Sequence, residues 1–448
     1  MRIIVFSTFL LITYIFPVSI KGEKIVNGYY PNWLKQDFPS EKIDFTILTH
    51  ITHAFAWPNY DGSLGMYSEM IDPDLNSIVH KEGREILIAI GGWGNSYAFS
   101  DVLSDSITRS LFITNILNFI EINAYDGVDI DWEFPSSSLD RINLTSFMKE
   151  LRFRMDEINT DYRLTMAISS NDYYGQWFDY TILSKYCDWF GVMTYDFHGS
   201  WTNHAGHNSP ISAPLNCDDG SIVSTLDYLI NMRNLSPSKL LLGIPFYGKE
   251  FNASGLYKTK TGNVKDLIFN IIPGYLNSGW NPFWDNISEV PYLINKDSNR
   301  IITYDDSMSV RIKSEKAMEE NLSGVMIWAI GYDFINGKQP LLQSIGKSLQ
   351  TISLNVDFER PEKIELYSNY PNPFNSHTTI HYKIPVHSKF SLEIIDINGK
   401  TLETLISGYS KTASNSISWY PINLSSGLYF IRLSINNEST TRKILYVK

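Results

Sequence analysis

Eight short, β-rich apolar runs punctuate the first three-quarters of the chain: KIVNGYY (24–30), LTHITHAFA (48–56), ILIAIGG (86–92), GVDIDWE (127–133), LTMAISS (164–170), WFGVMTYD (189–196), LLLGIPFYG (240–248) and GVMIWAI (324–330). Several are almost continuously apolar, as strands covered on both faces of a parallel sheet must be. Helix-like stretches lie between them, among them SITRSLFITNILNFIEINA (106–124), LTSFMKELRFRMDEINT (144–160) and STLDYLINMRNL (224–235). Eight strands alternating with helices indicate an α/β fold, a (β/α)8 TIM barrel. The gap between the seventh and eighth runs, residues 249–323, is too long for an ordinary connection. It is expected to be an inserted α+β subdomain at the strand C-terminal face. After about residue 350 helical periodicity stops, and KFSLEIIDINGKTLETL alternates around Asn398-Gly399, a two-residue hairpin signal. Residues 351–362 therefore read as a linker and 363–448 as a small all-β sandwich.

One strand carries a set of charges that no other strand matches. In DGVDIDWEFP (126–135), Asp129, Asp131 and Glu133 share one face, and Val128, Ile130 and Trp132 share the other. Three carboxylates thus face the barrel interior. A purely structural role needs basic partners, because an unpaired buried charge costs several kcal/mol; the neighbouring runs ILIAIGG and LTMAISS contain neither Lys nor Arg. Like charges this close cannot all ionise, so one carboxyl group keeps a proton near neutral pH, as a general acid requires. Glu133 stands where the strand meets its loop, the end at which barrels place their chemistry. A solvated acidic loop is opposed by the intervening Val, Ile and Trp. A divalent metal site would use the same hard oxygens, but a barrel metal usually gathers ligands from several strands, and no other strand presents a comparable acidic set.

Composition narrows the partners. The net charge of −11 leaves no basic stripe for a polyphosphate backbone, so nucleic acid is not expected. Aromatic residues make up 14%, and such flat apolar faces suit sugar rings. The amino terminus, MRIIVFSTFLLITYIFPVSIKG, places Arg2 before an apolar run ending near Pro17 and Ser19, the order of a secretory signal peptide over residues 1–22; an uncleaved membrane anchor is the alternative. The two cysteines, Cys187 and Cys217, do not make a disulfide scaffold, and whether they pair stays open. No Cys/His run has zinc-site spacing, and Gly91-Gly92 lacks the surroundings of a phosphate loop. No metal and no cofactor are expected.

DGVDIDWE resembles the DxxDxDxE signature of glycoside hydrolase family 18 chitinases. NGYY (27–30), HAFA (53–56), IGGW (90–93), MTYDFHGSW (193–201), GIPFYG (243–248) and GVMIW (324–328) resemble the family's other strand motifs in order. FWD (283–285), VPYL (290–293) and ITYDDSMSVRIK (302–313) resemble its chitinase insertion domain. The likeness spans roughly residues 24–350, and a catalytic region of 23–350 follows from it.

The resemblance implies hydrolysis of chitin or chito-oligosaccharides by substrate-assisted retaining catalysis, an exception to the two-carboxylate scheme. Glu133 is then the acid; Asp131 turns toward it and holds the substrate N-acetyl N–H; Asp129 shares a proton with Asp131. Tyr195 bonds the N-acetyl oxygen, with Asp196 and Met193 lining the same subsite. Trp328 forms the floor beneath the sugar, Trp93 and Trp201 stack on sugars on the leaving-group side, and Tyr29 and Phe55 line the pocket. A core role for Met193, or for any bare Trp, is the plainer alternative. Where the family usually has Ser before its Gly pair region, this chain has Ala89, so Asp129 is expected to have one partner fewer and to lean on Tyr29. An endo-β-N-acetylglucosaminidase acting on N-glycans and a non-catalytic chitin-binding lectin remain as alternatives. A monomer is expected.

LYSNYPNPFNSHTTIHYKI (366–384), SSGLYFIRLS and TRKILYVK (441–448) resemble the C-terminal sorting domain of type IX secretion substrates of the Bacteroidetes group. This implies contact with the type IX secretion machinery and a secreted or cell-surface location reached through the periplasm of a Gram-negative bacterium. A carbohydrate-binding module is the alternative, with Trp419 and Tyr420 as its platform.

Overall fold

A computed structural model describes residues 24–214, 219–354, 364–384, 389–409, 414–421, 424–435 and 438–447. The expected signal peptide, most of the linker and Cys217 lie outside these described residues. The described residues fall into two compact units that divide between Ser353 and Leu354.

In the first unit the eight apolar runs become eight parallel strands: β1 (Ile25–Pro31), β2 (His50–Pro58), β3 (Glu85–Gly91), β4 (Gly127–Asp131), β5 (Arg163–Ile168), β6 (Phe190–Val192), β7 (Leu240–Pro245) and β8 (Gly324–Trp328). Each pairs with its sequence neighbours, β8 pairs with β1, and the sheet closes on itself. Strand β7 is buried at every position, which accounts for its unbroken apolar sequence. Helices cover the outside. Ser106–Ile122 buries Phe112, Ile113, Ile116 and Ile120 on one face, in the same core as Val128, Ile130 and Trp132 of the acidic segment. Its start is set by Asp105, whose side chain accepts from the Thr108 N–H.

Helix bounds differ from expectation where local bonding decides them. The helix expected over 144–160 begins at Ser138, because Ser137 Oγ accepts the Asp140 N–H and caps it. The stretch 224–235 is a short α-helix, Ile222–Leu226, that widens into a π-helical turn, Asp227–Met232.

The insertion is an antiparallel sheet of five strands in the order Thr261–Ile268, Tyr247–Asn252, Arg300–Thr303, Val290–Asn295, Asn281–Asp285. It has its own core of Leu267, Ile272, Trp280, Leu293 and Ile302. The helix Ser307–Glu319, which falls within the expected insertion range, belongs to the barrel: Val310 and Ala317 are buried in the barrel's core. A capping box at Asp306 and Ser309 starts it directly after the last insertion strand.

The second unit is a small β-sandwich. A three-stranded sheet (Glu365–Leu366, Thr378–Lys383, Ser414–Trp419) and a four-stranded sheet (Thr401–Tyr409, Lys389–Ile395, Gly427–Ile435, Glu438–Tyr446) share one core containing Ile380, Tyr382, Leu392, Ile431 and Ile444. The hairpin at Asn398-Gly399 is present but longer than two residues: Ile395 pairs with Thr401, Asp396 Oδ1 accepts from the Asn398 and Lys400 N–H groups, and Gly399 takes φ 82°. Trp419 is 2% exposed, and its indole N–H donates to Glu403 Oε2 at 2.9 Å. It is a core residue and not a ligand platform, which corrects that part of the carbohydrate-binding alternative; Tyr420 is exposed and stacks on His377.

Candidate active site

Strand β4 lies between β3 and β5 in a register that sets Asp129 beside Ala89 on one side and Thr165 on the other. Both oxygens of Asp129 are bonded. Tyr29 on β1 donates its hydroxyl to Oδ2 at 2.6 Å, and Thr165 donates to Oδ1 at 2.5 Å. Asp129 thus takes its donors from Tyr29 and from Thr165 on one flanking strand, while Ala89 on the other offers none. Burial still raises the Asp129 pKa, with the Thr165 and Tyr29 bonds working against it.

Asp131, 4% exposed, is pushed well above the ordinary carboxylate range by burial first, then by the charges of Glu133 and Asp129. Its Oδ1 is buried and has no hydrogen-bond partner among the described residues. Glu133 lies two residues beyond the end of β4, partly open to the pocket. Burial and then the Asp196 charge raise its carboxyl to about 8, while the Trp93 backbone N–H draws it down. It is thus mostly protonated at neutral pH, the form that donates. The segment is held by Ser96, whose Oγ accepts the Glu133 N–H at 3.0 Å and donates to the Asp131 carbonyl. Gly91 (φ 119°) makes room for this: a Cβ there would meet the Asp131 carbonyl oxygen at 2.0 Å. That close approach explains the glycine without any phosphate.

The loop after β6 supplies the opposite wall. Asp196 has φ 58°, an unfavourable conformation for a side-chain-bearing residue, and is over-determined by its bonds. Its N–H donates to Asn208 Oδ1, and its Oδ1 receives the Tyr247 hydroxyl and the Lys249 ammonium, both at 2.8 Å. Lys249 also holds Asp266 at 2.7 Å; burial opposes its charge, but Asp196 and Asp266 outweigh burial and raise its pKa. Tyr195 is close enough to Asp131 and Glu133 to feel their charge, and among the described residues its own hydroxyl makes only a long contact, 3.8 Å, to the Met326 sulfur. Met193 and Tyr195 pack with Tyr29, Phe55 and Trp328 inside the barrel. Trp328 ends β8, stacks on Phe55 at 5.7 Å and meets Tyr29 edge-on at 5.6 Å. Trp33, which sequence reasoning passed over, extends this patch at 6.4 Å from Trp328.

Trp93 and Trp201 are 75% and 61% exposed, values no core tryptophan has. Trp93 adjoins the acid through its backbone, and Trp201 carries the Lys249 ammonium 5.5 Å from its ring centre. All the residues expected at the site therefore gather around the C-terminal mouth of the barrel. Sequence reasoning missed Thr165, Ser96, Asn208, Tyr247 and Lys249. Lys249 alone had a visible signal, a single basic residue directly after the seventh apolar run. The arrangement offers a protonated acid, a partnerless carboxylate oxygen beside it and an aromatic floor. A hard divalent ion is poorly served, because both oxygens of Asp129 are already committed to hydroxyl donors.

Residues 25–333 match the family described as glycosyl hydrolases family 18, and residues 368–448 match the secretion system C-terminal sorting domain. Among curated relatives, "Probable chitinase 2" of Drosophila melanogaster is 30% identical over 379 residues, covering 74% of this chain and 76% of that protein. "Chitinase A1" of Niallia circulans is 28% identical, covering 69% of this chain and 56% of its own length. The solved Ostrinia furnacalis Group IV chitinase in complex with allosamidin superposes with a TM-score of 0.68 at 28% identity, over 73% of this chain and 99% of that one. The chain belongs to glycosyl hydrolases family 18 and ends in a sorting domain that marks it for secretion or the cell surface.

Proposed function

We propose that the protein is a secreted chitinase that cleaves β-1,4 linkages between N-acetylglucosamine units with retention, the substrate's own N-acetyl oxygen acting as nucleophile. The observation that carries this reading is the Glu133 carboxyl, raised to about 8 at the mouth of the barrel with Asp131 and Asp129 stacked behind it. Glu133 donates its proton to the glycosidic oxygen and, as a carboxylate, then takes one from the incoming water. Asp131, with Oδ1 unbonded, turns to accept the N-acetyl N–H and aligns its carbonyl with the anomeric carbon. The trio titrates as a coupled unit, so the proton left on Asp131 is passed toward Asp129. The Tyr195 hydroxyl donates to the N-acetyl oxygen as charge develops there. Trp328 and Phe55 form the floor, Asp196 and Met193 the wall, and Trp93 and Trp201 the stacking faces for further sugars.

In this reading residues 1–22 are a signal peptide, 23–350 the catalytic region with a chitinase insertion domain, 351–362 a linker and 363–448 the module read by type IX secretion machinery. The enzyme acts as a monomer. Glu133→Gln is the direct test: an amide cannot donate the proton, so turnover on chito-oligosaccharides is expected to fall about 10²–10⁴-fold while binding persists. Retention of more than a few per cent of turnover assigns the acid elsewhere. Loss of binding together with turnover removes the reading of Glu133 as acid alone.

A further inference from the structure

A second constellation lies behind the loop that carries Asp196 and Trp201. His198 and His204 stand in this loop, and Asp219 approaches both from farther along the same connection, shortly before the helix Ile222–Leu226: Asp219 Oδ2 is 3.3 Å from His198 Nε2 and 3.0 Å from His204 Nε2. The three ligand-type atoms lie within 4.8 Å of one another. Each ring is oriented by its other nitrogen. His198 Nδ1 lies 2.8 Å from the His207 carbonyl oxygen, and His204 Nδ1 lies 2.7 Å from Asn203 Oδ1. A carbonyl only accepts, so His198 carries its proton on Nδ1 and its Nε2 is a bare lone pair in the neutral ring. That Nε2 is buried, its residue 1% exposed, and its approach to Asp219 lacks hydrogen-bond geometry. A lone pair facing a carboxylate oxygen at this distance is repulsive unless a cation sits between them.

From this geometry we propose that His198, His204 and Asp219 form a three-ligand site for a divalent transition ion of the zinc class, with water completing the tetrahedron. Two imidazoles and one carboxylate are ligands zinc accepts, with arms of about 2.0–2.2 Å. A tetrahedron with such arms has edges of roughly 3.3 Å, which the Asp219 Oδ2 distances of 3.3 and 3.0 Å nearly match. The His207 carbonyl and the Asn203 amide oxygen are the outer partners that fix ligand tautomers at such centres. On binding, the ion replaces the proton shared by His204 Nε2 and Asp219, and that proton goes to solvent. The site ties together the two ends of the connection after β6 and, through the bonds of Ala205 N–H to the Lys258 carbonyl and of Tyr257 N–H to the Ala205 carbonyl, the base of the insertion. Its role is to hold the loop that presents Asp196 and Trp201; Glu133 does its chemistry without it.

The test uses the full chain without a polyhistidine tag, dialysed against EDTA and titrated with Zn(II) in competition with a chromophoric chelator, alongside thermal unfolding with and without zinc. One equivalent of zinc per chain and a raised unfolding midpoint are expected. His204→Ala and Asp219→Asn, at part-exposed positions, are expected to lose both, and Asn203→Ala to weaken binding by about 10–100-fold. Failure of the unaltered chain to bind an equivalent of zinc overturns the proposal, as does binding of equal affinity in the His204 and Asp219 variants.

Discussion

Thr165→Val isolates the support beneath the catalytic carboxylates. Thr165 is fully buried, and its hydroxyl donates to Asp129 Oδ1 at 2.5 Å, while Asp129 itself is 2% exposed, so no water replaces the lost donor. A bond to an ionised acceptor contributes about 1.5–3 kcal/mol and a neutral one about 0.5–1.5 kcal/mol. The penalty must therefore depend on pH. Burial raises the folded-state pKa of Asp129 above its ordinary 3.8. For such an acid the fold is disfavoured as pH climbs from the unfolded value through the folded one, and removing a donor that stabilises the anion enlarges that penalty. The variant is expected to lose about 0.5–1.5 kcal/mol below pH 4, and about 1.5–3 kcal/mol once pH exceeds the folded-state value. Urea unfolding followed by tryptophan fluorescence at several pH values measures this. A double variant with Tyr29→Phe, which removes the other bond, is expected to cost more than the two singles added, because both act on one carboxylate. A pH-independent difference, or one below about 0.5 kcal/mol throughout, refutes the argument that the Thr165 hydroxyl supports the Asp129 anion.

Two further outcomes follow from the site and the tail. Glu133 must be protonated to act, so kcat/KM for a chromogenic chito-oligosaccharide is expected to hold at neutral pH and fall as pH rises through about 8; Asp196→Asn removes a negative charge that helps hold the proton, so this alkaline limb shifts to lower pH, and an unmoved or raised limb contradicts the assignment. A shortened chain of residues 23–356 is expected to hydrolyse soluble chito-oligosaccharides about as well as residues 23–448, whereas deleting 363–448 in the native host traps the enzyme in the periplasm; normal export without the tail, or strong tail-dependent binding to insoluble chitin, overturns that reading.

The strands and the acidic face were legible because burial imposes an alternation that survives in sequence: Asp129, Asp131 and Glu133 face inward while Val128, Ile130 and Trp132 face the helices. Trp93 and Trp201 carry a motif signal in the sequence, and in the fold both are exposed. What stayed hidden depends on lateral register. Thr165 gains its meaning only because β5 sets it beside Asp129, and nothing within LTMAISS announces that pairing. Lys249 and Tyr247 reach Asp196 because the chain turns from β7 into the first insertion strand. The insertion ends earlier than its sequence suggests because the helix at Ser307 has a barrel-facing side that its mixed polar sequence conceals. Trp419 illustrates the opposite error, an aromatic that invites a ligand but fills a core.

In the proposed mechanism the attacking group belongs to the substrate, and Glu133 only moves protons. Proton NMR of the earliest products from a β-linked chito-oligosaccharide tests this most directly, before the anomers equilibrate. Attack by the N-acetyl oxygen followed by water gives two inversions at the anomeric carbon, so the new reducing end is expected as the β-anomer, and oligosaccharides lacking the N-acetyl group at the cleaved sugar are expected not to react. Early product that is mainly α, or efficient cleavage of the deacetylated substrate, contradicts the account.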